Sequence, residues 1–190
     1  MFEKAMLERF NQKAASSDSK STEILNSLDI KEGCAIADIG SGGGYFSIEF
    51  AKRVGKSGVV YAVDVNPKNL SYVKEKASAA GVTNVQTTLT EEDKLNLPLN
   101  SVDIIFLRNV FHHIPNPTQY FKALKPVLKN GGIIAIIDYK KPKGGGIFSF
   151  VGLFKHYVPQ EEIQKALKDA GYKVQKSYDF LPQQSFKVFK

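Results

Sequence analysis

The sequence of 190 residues predicts a doubly wound α/β fold: a mostly parallel, seven-stranded sheet with an antiparallel C-terminal hairpin. Three observations carry that expectation. Apolar, β-branched runs alternate with segments of helical period, the central runs are almost continuously apolar, and the last two runs lie close together. Strands covered by helices on both faces lose the polar alternation of half-exposed strands, so the central runs read as a parallel sheet. A parallel crossover needs about a dozen residues. Only Leu181 to Gln184 separate the last two runs, which forces an antiparallel pair.

The chain opens with two helical patterns. Phe2, Met6 and Phe10 recur every fourth residue and form one apolar stripe with Leu7 and Ala14; Ile24, Leu25 and Leu28 form another. Such stripes pack on a sheet or lid a pocket, and residues 1–30 are expected to cap a domain spanning 31–190. Strands are expected at 34–39, 59–65, 85–89, 102–107, 133–139, 172–180 and 185–189. A helix is expected over 45–54. Asn66-Pro67 offers the next one a cap and a first-turn proline, Leu70, Val73 and Ala77 form its stripe, and Gly81 stops it. Asn116-Pro117 repeats the device before Tyr120, Phe121, Leu124 and Leu128, with Gly131 as the stop. Pro126 lies inside that pattern and should kink or shorten the helix. Pro159 opens a last helix carrying Ile163, Ala166, Leu167 and Ala170 before Gly171.

Composition narrows the class. A hydrophobic content of 43% is near the globular average, so a core can form without disulfides or metal. Cys34 is the only cysteine, which excludes an internal disulfide or thiolate cluster and suits a reducing compartment. Glu3, Lys4, Glu8, Arg9 and Lys13 break any signal-peptide pattern. The longest mostly apolar stretch, from Ile147 to Phe154, is far short of the roughly 20 residues of a membrane helix. A cytoplasmic protein with no membrane span is expected. The net charge of +7 is spread along the chain, the longest basic block being Lys140-Lys141-Pro142-Lys143, which argues against a nucleic-acid partner.

The informative stretch is Ala35-Ile36-Ala37-Asp38-Ile39-Gly40-Ser41-Gly42-Gly43-Gly44, a strand running into a glycine-dense turn. In an open α/β sheet ligands sit outside the carboxyl ends of the strands, where this turn falls. A dinucleotide fingerprint begun at Gly40 needs glycine where Tyr45 stands, and one begun at Gly42 fails at Ser47. A phosphate loop needs lysine and a hydroxyl residue after the last glycine, and both are missing. The turn suits a nucleoside without phosphates. Asp64 ends the second strand one β-α unit later, where a carboxylate can accept hydrogen bonds from both ribose hydroxyls. Asp38 could contact the ligand or brace the loop.

These residues resemble the class I S-adenosylmethionine-dependent methyltransferases, over nearly the whole chain. Asp38 to Gly44 matches the first motif, D-x-G-x-G-x-G, and Asp64 the acid that grips the ribose. Thr90-Glu91-Glu92 falls where the family has Gly-Asp-Ala, and Leu128-Lys129-Asn130-Gly131-Gly132 resembles the turn before the fifth strand. The closing hairpin agrees with the family's antiparallel seventh strand. The resemblance implies S-adenosyl-L-methionine as cofactor, leaving as S-adenosyl-L-homocysteine. It implies contacts from Asp38, Gly40, Ser41, Gly42, Gly44, Tyr45 and Phe46, then Asp64, Val65 and Asn66, then Glu91 and Glu92, and finally Arg108, Asn109 and Val110.

A small-molecule methyl acceptor is expected, with an RNA or protein methyltransferase and a non-catalytic S-adenosylmethionine-binding protein as alternatives. The donor carries its own activation, so the protein chiefly aligns and dries the reactants, and a base is needed only where the acceptor must lose a proton. His112 and His113, at the mouth of the fourth strand, and His156, before the last helix, are the candidates; each could equally be a packed side chain. None has metal-ligand spacing, so no metal is expected. Lys143-Gly144-Gly145-Gly146 and the apolar run to Phe154 read as a hinge and flap that, with the Phe2/Met6/Phe10 stripe, would wall an apolar acceptor pocket.

Overall fold

The computed structural model describes residues 2–91, 96–140 and 157–190. Its helices are α1 (Phe2–Ala15), α2 (Ser21–Ser27), α3 (Tyr45–Val54), α4 (Pro67–Ala79), α5 (Pro117–Leu124) and α6 (Gln160–Asp169). Its strands are β1 (Ala35–Ile39), β2 (Val59–Asp64), β3 (Val85–Leu89), β4 (Val102–Arg108), β5 (Leu128–Tyr139), β6 (Val174–Tyr178) and β7 (Gln184–Phe189). They form one seven-stranded sheet in the order β3-β2-β1-β4-β5-β7-β6. The first five strands pair in parallel, while β7 runs antiparallel to both β5 and β6.

Strand periodicity divides the core in two. On β1, β4 and β5, Ala37, Ile39, Ile105, Leu107, Ile134 and Ile136 face α5 and α6, packing with Phe121, Leu124, Ile163 and Leu167. Their alternates Ile36, Ile104, Phe106, Ala135 and Ile137 face α2 and α3, packing with Ile24, Leu25, Phe46 and Phe50. Both faces are covered, so the central strands are apolar throughout. The N-terminal segment shares this core through α2.

Three expectations change. In α1 Leu7 is buried, while Met6 and Phe10 stay exposed, because the helix turns Leu7 and Asn11 toward the glycine turn. The pattern ahead of Pro126 stops at Leu124, and Leu128 begins β5 instead of closing a helix, since proline offers no amide and clashes with the preceding turn. Asn66 caps α4, its side chain accepting the Lys68 amide, but Asn116 makes no such bond at α5.

Candidate functional site

The strand order reverses between β1 and β4, and the crevice at their carboxyl ends is where the turn over residues 40–44 lies. The Gly40 and Ser41 amides both donate to Val63 O, at 2.8 and 3.0 Å, so the turn is pinned to β2. Gly40 and Gly42 hold φ of 69° and 51°, a region unfavourable to residues with a side chain. A Cβ at Gly40 would collide with Val110, and one at Gly43 with Asn11 and the Leu7 carbonyl of α1. At Gly42 it would meet only Gly40 O, at 3.9 Å. Gly42 is the open side of the turn. Beside it, Ser41 Oγ is buried and, among the described residues, is the one such side-chain polar atom lacking a hydrogen-bond partner. An orphan of that kind calls for a ligand or water.

Asp64 is buried against this turn. Its Oδ2 accepts the Gly42 amide at 2.9 Å, and its Oδ1 accepts the Asn66 amide at 2.9 Å and Asn69 Nδ2 at 3.2 Å. A carboxylate has about four acceptor positions, and these bonds leave about one, on Oδ2. Sequence alone offers few structural reasons for an acid here, and this brace is one. The grip on two ribose hydroxyls expected of Asp64 would need two open positions. Val65 and Leu89, the latter in register with Asp64, are exposed and give the rim an apolar surface. Glu91 follows on the exposed side, and Glu92 lies outside the described residues.

Asp38 is buried and accepts Ser47 Oγ at 2.5 Å, which ties β1 to α3. Burial pushes its carboxyl up to about 7; the nearby charge of Asp64 adds to the rise and the Ser47 bonds oppose it. Tyr45 is half-buried, but the Phe46 ring packs inward on Phe50 and Phe106, at centroid distances of 5.9 and 5.0 Å. Its side chain is core, so any ligand contact from Phe46 is left to its backbone.

Arg108, Asn109 and Val110 leave β4 beside the turn. The Arg108 guanidinium lies 5.1 Å from the Phe46 ring centroid and donates to Ser19 O at 3.0 Å, Gln184 Oε1 at 3.2 Å and Ser21 Oγ at 3.4 Å. Burial draws its pKa below the ordinary guanidinium range. These bonds make Arg108 a clamp joining β4 to the α1–α2 corner and to β7. Asn109 holds φ of 58° and accepts Gln184 Nε2 at 2.5 Å, while Val110 seats against Gly40.

The 3-10 turn Phe111–His113 follows. His112 Nδ1 lies 3.0 and 3.2 Å from the two carboxylate oxygens of Asp138, a fully buried residue next to the end of β5. His113 is exposed, its ring 4.1 Å from that of His112. His156 and the glycine hinge and flap over residues 143–154 lie outside the described residues. Sequence reasoning missed Asp138, although the signal was present: like Asp38 and Asp64, it is an acid near the carboxyl end of an apolar strand. Asn11, which donates to Gly43 O at 2.7 Å, and Asn69 carry no comparable mark. Among the described residues no group of three or more His, Cys, Asp or Glu is arranged to hold a metal ion, and no helix is long and apolar enough to cross a membrane.

A family model described as a methyltransferase domain matches residues 30–185. The chain is similar to the ubiquinone/menaquinone biosynthesis C-methyltransferase UbiE of Hydrogenovibrio crunogenus, 28% identical over 113 residues, 59% of this chain and 44% of that protein. The protein of the same name from Neisseria meningitidis is 31% identical over 121 residues, 62% of this chain and 47% of that one. The chain thus spans about half the length of the curated relatives it matches. A solved S-adenosylmethionine-dependent methyltransferase from Aquifex aeolicus superposes with a TM-score of 0.81 at 28% identity, covering 98% of this chain and 97% of that one.

Proposed function

The chain belongs to the class I S-adenosylmethionine-dependent methyltransferases, and from that premise we propose that it transfers a methyl group to a small-molecule acceptor, at carbon. Carbon as the receiving atom follows the relatives named as C-methyltransferases. The observation that carries the reading is the open side of Gly42, lying between an orphaned Ser41 Oγ and the braced carboxylate of Asp64. It offers a carboxylate acceptor and an unpartnered hydroxyl in one place, with no lysine for a phosphate, and so fits an adenosyl sulfonium.

When bound, S-adenosylmethionine supplies a methyl group already activated on a positive sulfur. The protein's share is positioning. Asp64 Oδ2 would accept a ribose hydroxyl, Ser41 Oγ would gain its missing partner, and exposed Val65 and Leu89 would offer apolar surface to the base. The Asp64 carboxylate gives the crevice a negative charge that favours a cation over a phosphate. The Arg108 clamp ties the corner between α1 and α2 to β4, and α1 packs on the turn at Gly43, a placement that would help shield the reacting atoms from water. A chain with one cysteine suits a cytoplasmic setting.

Asp64→Ala removes the ribose acceptor and the brace on the Gly42 amide together. Calorimetric titration with S-adenosylhomocysteine is expected to show affinity lowered about 30-fold or more, as befits a charged hydrogen bond worth about 2 kcal/mol. Wild-type affinity in the variant would overturn the assignment of this site. Release of S-adenosylhomocysteine on addition of a metabolite extract separates an enzyme from a protein that only binds.

A further inference from the structure

We propose that Gln184, on the closing hairpin, is a positioning residue for the cofactor crevice: it holds Asn109 in a left-handed turn, and that turn sets Val110 against Gly40. The inference rests on the methyl-transfer reading above. Gln184, Phe186 and Val188 share one face of β7, and all three are buried. An amide in an otherwise apolar row is costly unless both its ends are bonded. Both are. Gln184 stands opposite Tyr139 of β5, and its side chain reaches past that strand to the exit of β4. Its Oε1 accepts Arg108 Nη2 at 3.2 Å, and its Nε2 donates to Asn109 Oδ1 at 2.5 Å.

The direction of these bonds is forced. A guanidinium only donates, so the carbonyl end of Gln184 must face Arg108 and its amide nitrogen must face Asn109. Asn109 then has to offer its oxygen. The main-chain amide of Asn109 meanwhile donates to Ile137 O on β5, at 2.8 Å. The residue is thus gripped from two strands while it holds φ of 58°. Asparagine is tolerated in the left-handed region because its short side chain can bond locally. Here the bond comes instead from a residue 75 positions away.

The next residue carries the effect to the cofactor turn. Val110 packs so closely on Gly40 that a Cβ there would collide with its side chain. Gly40 is in turn held by its amide on Val63 O, with Ser41 and Gly42 just beyond it. When Asn109 leaves the left-handed region, Val110 moves off Gly40 and the crevice loses a wall. Cofactor then binds only the fraction of molecules that keep the turn, and apparent affinity falls by that fraction. The bond from Arg108 does different work, since it belongs to the clamp on the α1–α2 corner. The two roles of Gln184 are therefore separable by experiment.

The test measures S-adenosylhomocysteine affinity of the full chain by calorimetric titration, with thermal melts alongside. Asn109→Ala and Asn109→Gly delete the same polar group, but glycine enters the left-handed region freely and alanine does not. Asn109→Gly is therefore expected to bind about 5-fold or more tightly than Asn109→Ala. Gln184→Met, similar in shape but with neither donor nor acceptor at its end, is expected to weaken binding about 10-fold in the wild-type chain. Added to Asn109→Gly, where no side-chain bond holds the turn, it should cost about 2-fold or less. It should still lower Tm in that second background, because the Arg108 bond is lost in both. An equal loss of affinity in the two backgrounds, equal binding by the two Asn109 variants, or wild-type affinity in Gln184→Met overturns the proposal. Should Gln184→Met fail to fold, the two Asn109 variants, which leave the Arg108 clamp in place, decide the matter by themselves. A wild type that does not bind S-adenosylhomocysteine overturns the methyl-transfer reading instead.

Discussion

Three aspartates stand near the carboxyl ends of parallel strands, Asp38 on β1, Asp64 on β2 and Asp138 on β5, and their neighbours give them different chemistry. Asp64 meets amides and is a charged brace; Asp138 meets an imidazole; Asp38 meets one hydroxyl and a second carboxylate. For Asp38 the sign is unusual for an acid. Burial raises its carboxyl from the ordinary 3.8 to about 7 in the folded chain, so its contribution to stability is fully present below the lower value. That contribution is lost as pH rises through the upper one. Asp38→Asn should therefore raise Tm more at about pH 8 than at about pH 5, read by thermal melts in matched buffers. A gain that is the same at both would contradict the raised value. All three acids are legible in the sequence as polar ends of apolar runs. Their partners are not, because Asp138 and His112 are 26 positions apart and no local pattern records that they meet.

Elements read well where chain chemistry is local. The glycine turn, α3 and the Asn66-Pro67 start of α4 follow from spacing alone, because backbone freedom and capping act over a few residues. Asn66→Ala removes the bond to the Lys68 amide and should cost about 1 kcal/mol in denaturant unfolding. The Asn66 main-chain amide, which reaches Asp64, is untouched by the change, so cofactor affinity should hold. Helix α1 reads less well. Its apolar stripe suggests which face is inward, yet Asn11 and Leu7 win that place because Gly43 lets the helix approach the turn closely. Its outer side is tied to α4 by Lys4–Glu75, Lys68–Glu3 and Lys76–Glu8, with Tyr72 donating to Glu8. Exposed pairs of this kind add little each, so the close approach at Gly43 sets where α1 sits.

At the scale of the molecule, the net charge of +7 is distributed and several of the cations are engaged in local pairs with acids three or four residues away. Raising salt from about 50 mM to about 200 mM should change turnover by less than about 2-fold, whereas neutralising several phosphates of a nucleic-acid acceptor would cost about a thousandfold. A steep salt slope would revive a polyanionic substrate. Fold class, the parallel core and the closing hairpin are all legible from run lengths and separations. The order of the last two strands is not, since register between distant segments is decided by which faces fit. The outcome is that β7 inserts between β5 and β6, and β6 touches the sheet only through it. Until synthesis has passed Gln184, a nascent chain has β6 with nothing to join and β5 with a bare row of amides and carbonyls. An interrupted message or a nick in that stretch would free two strands at once and leave a sticky flank for chaperones to guard.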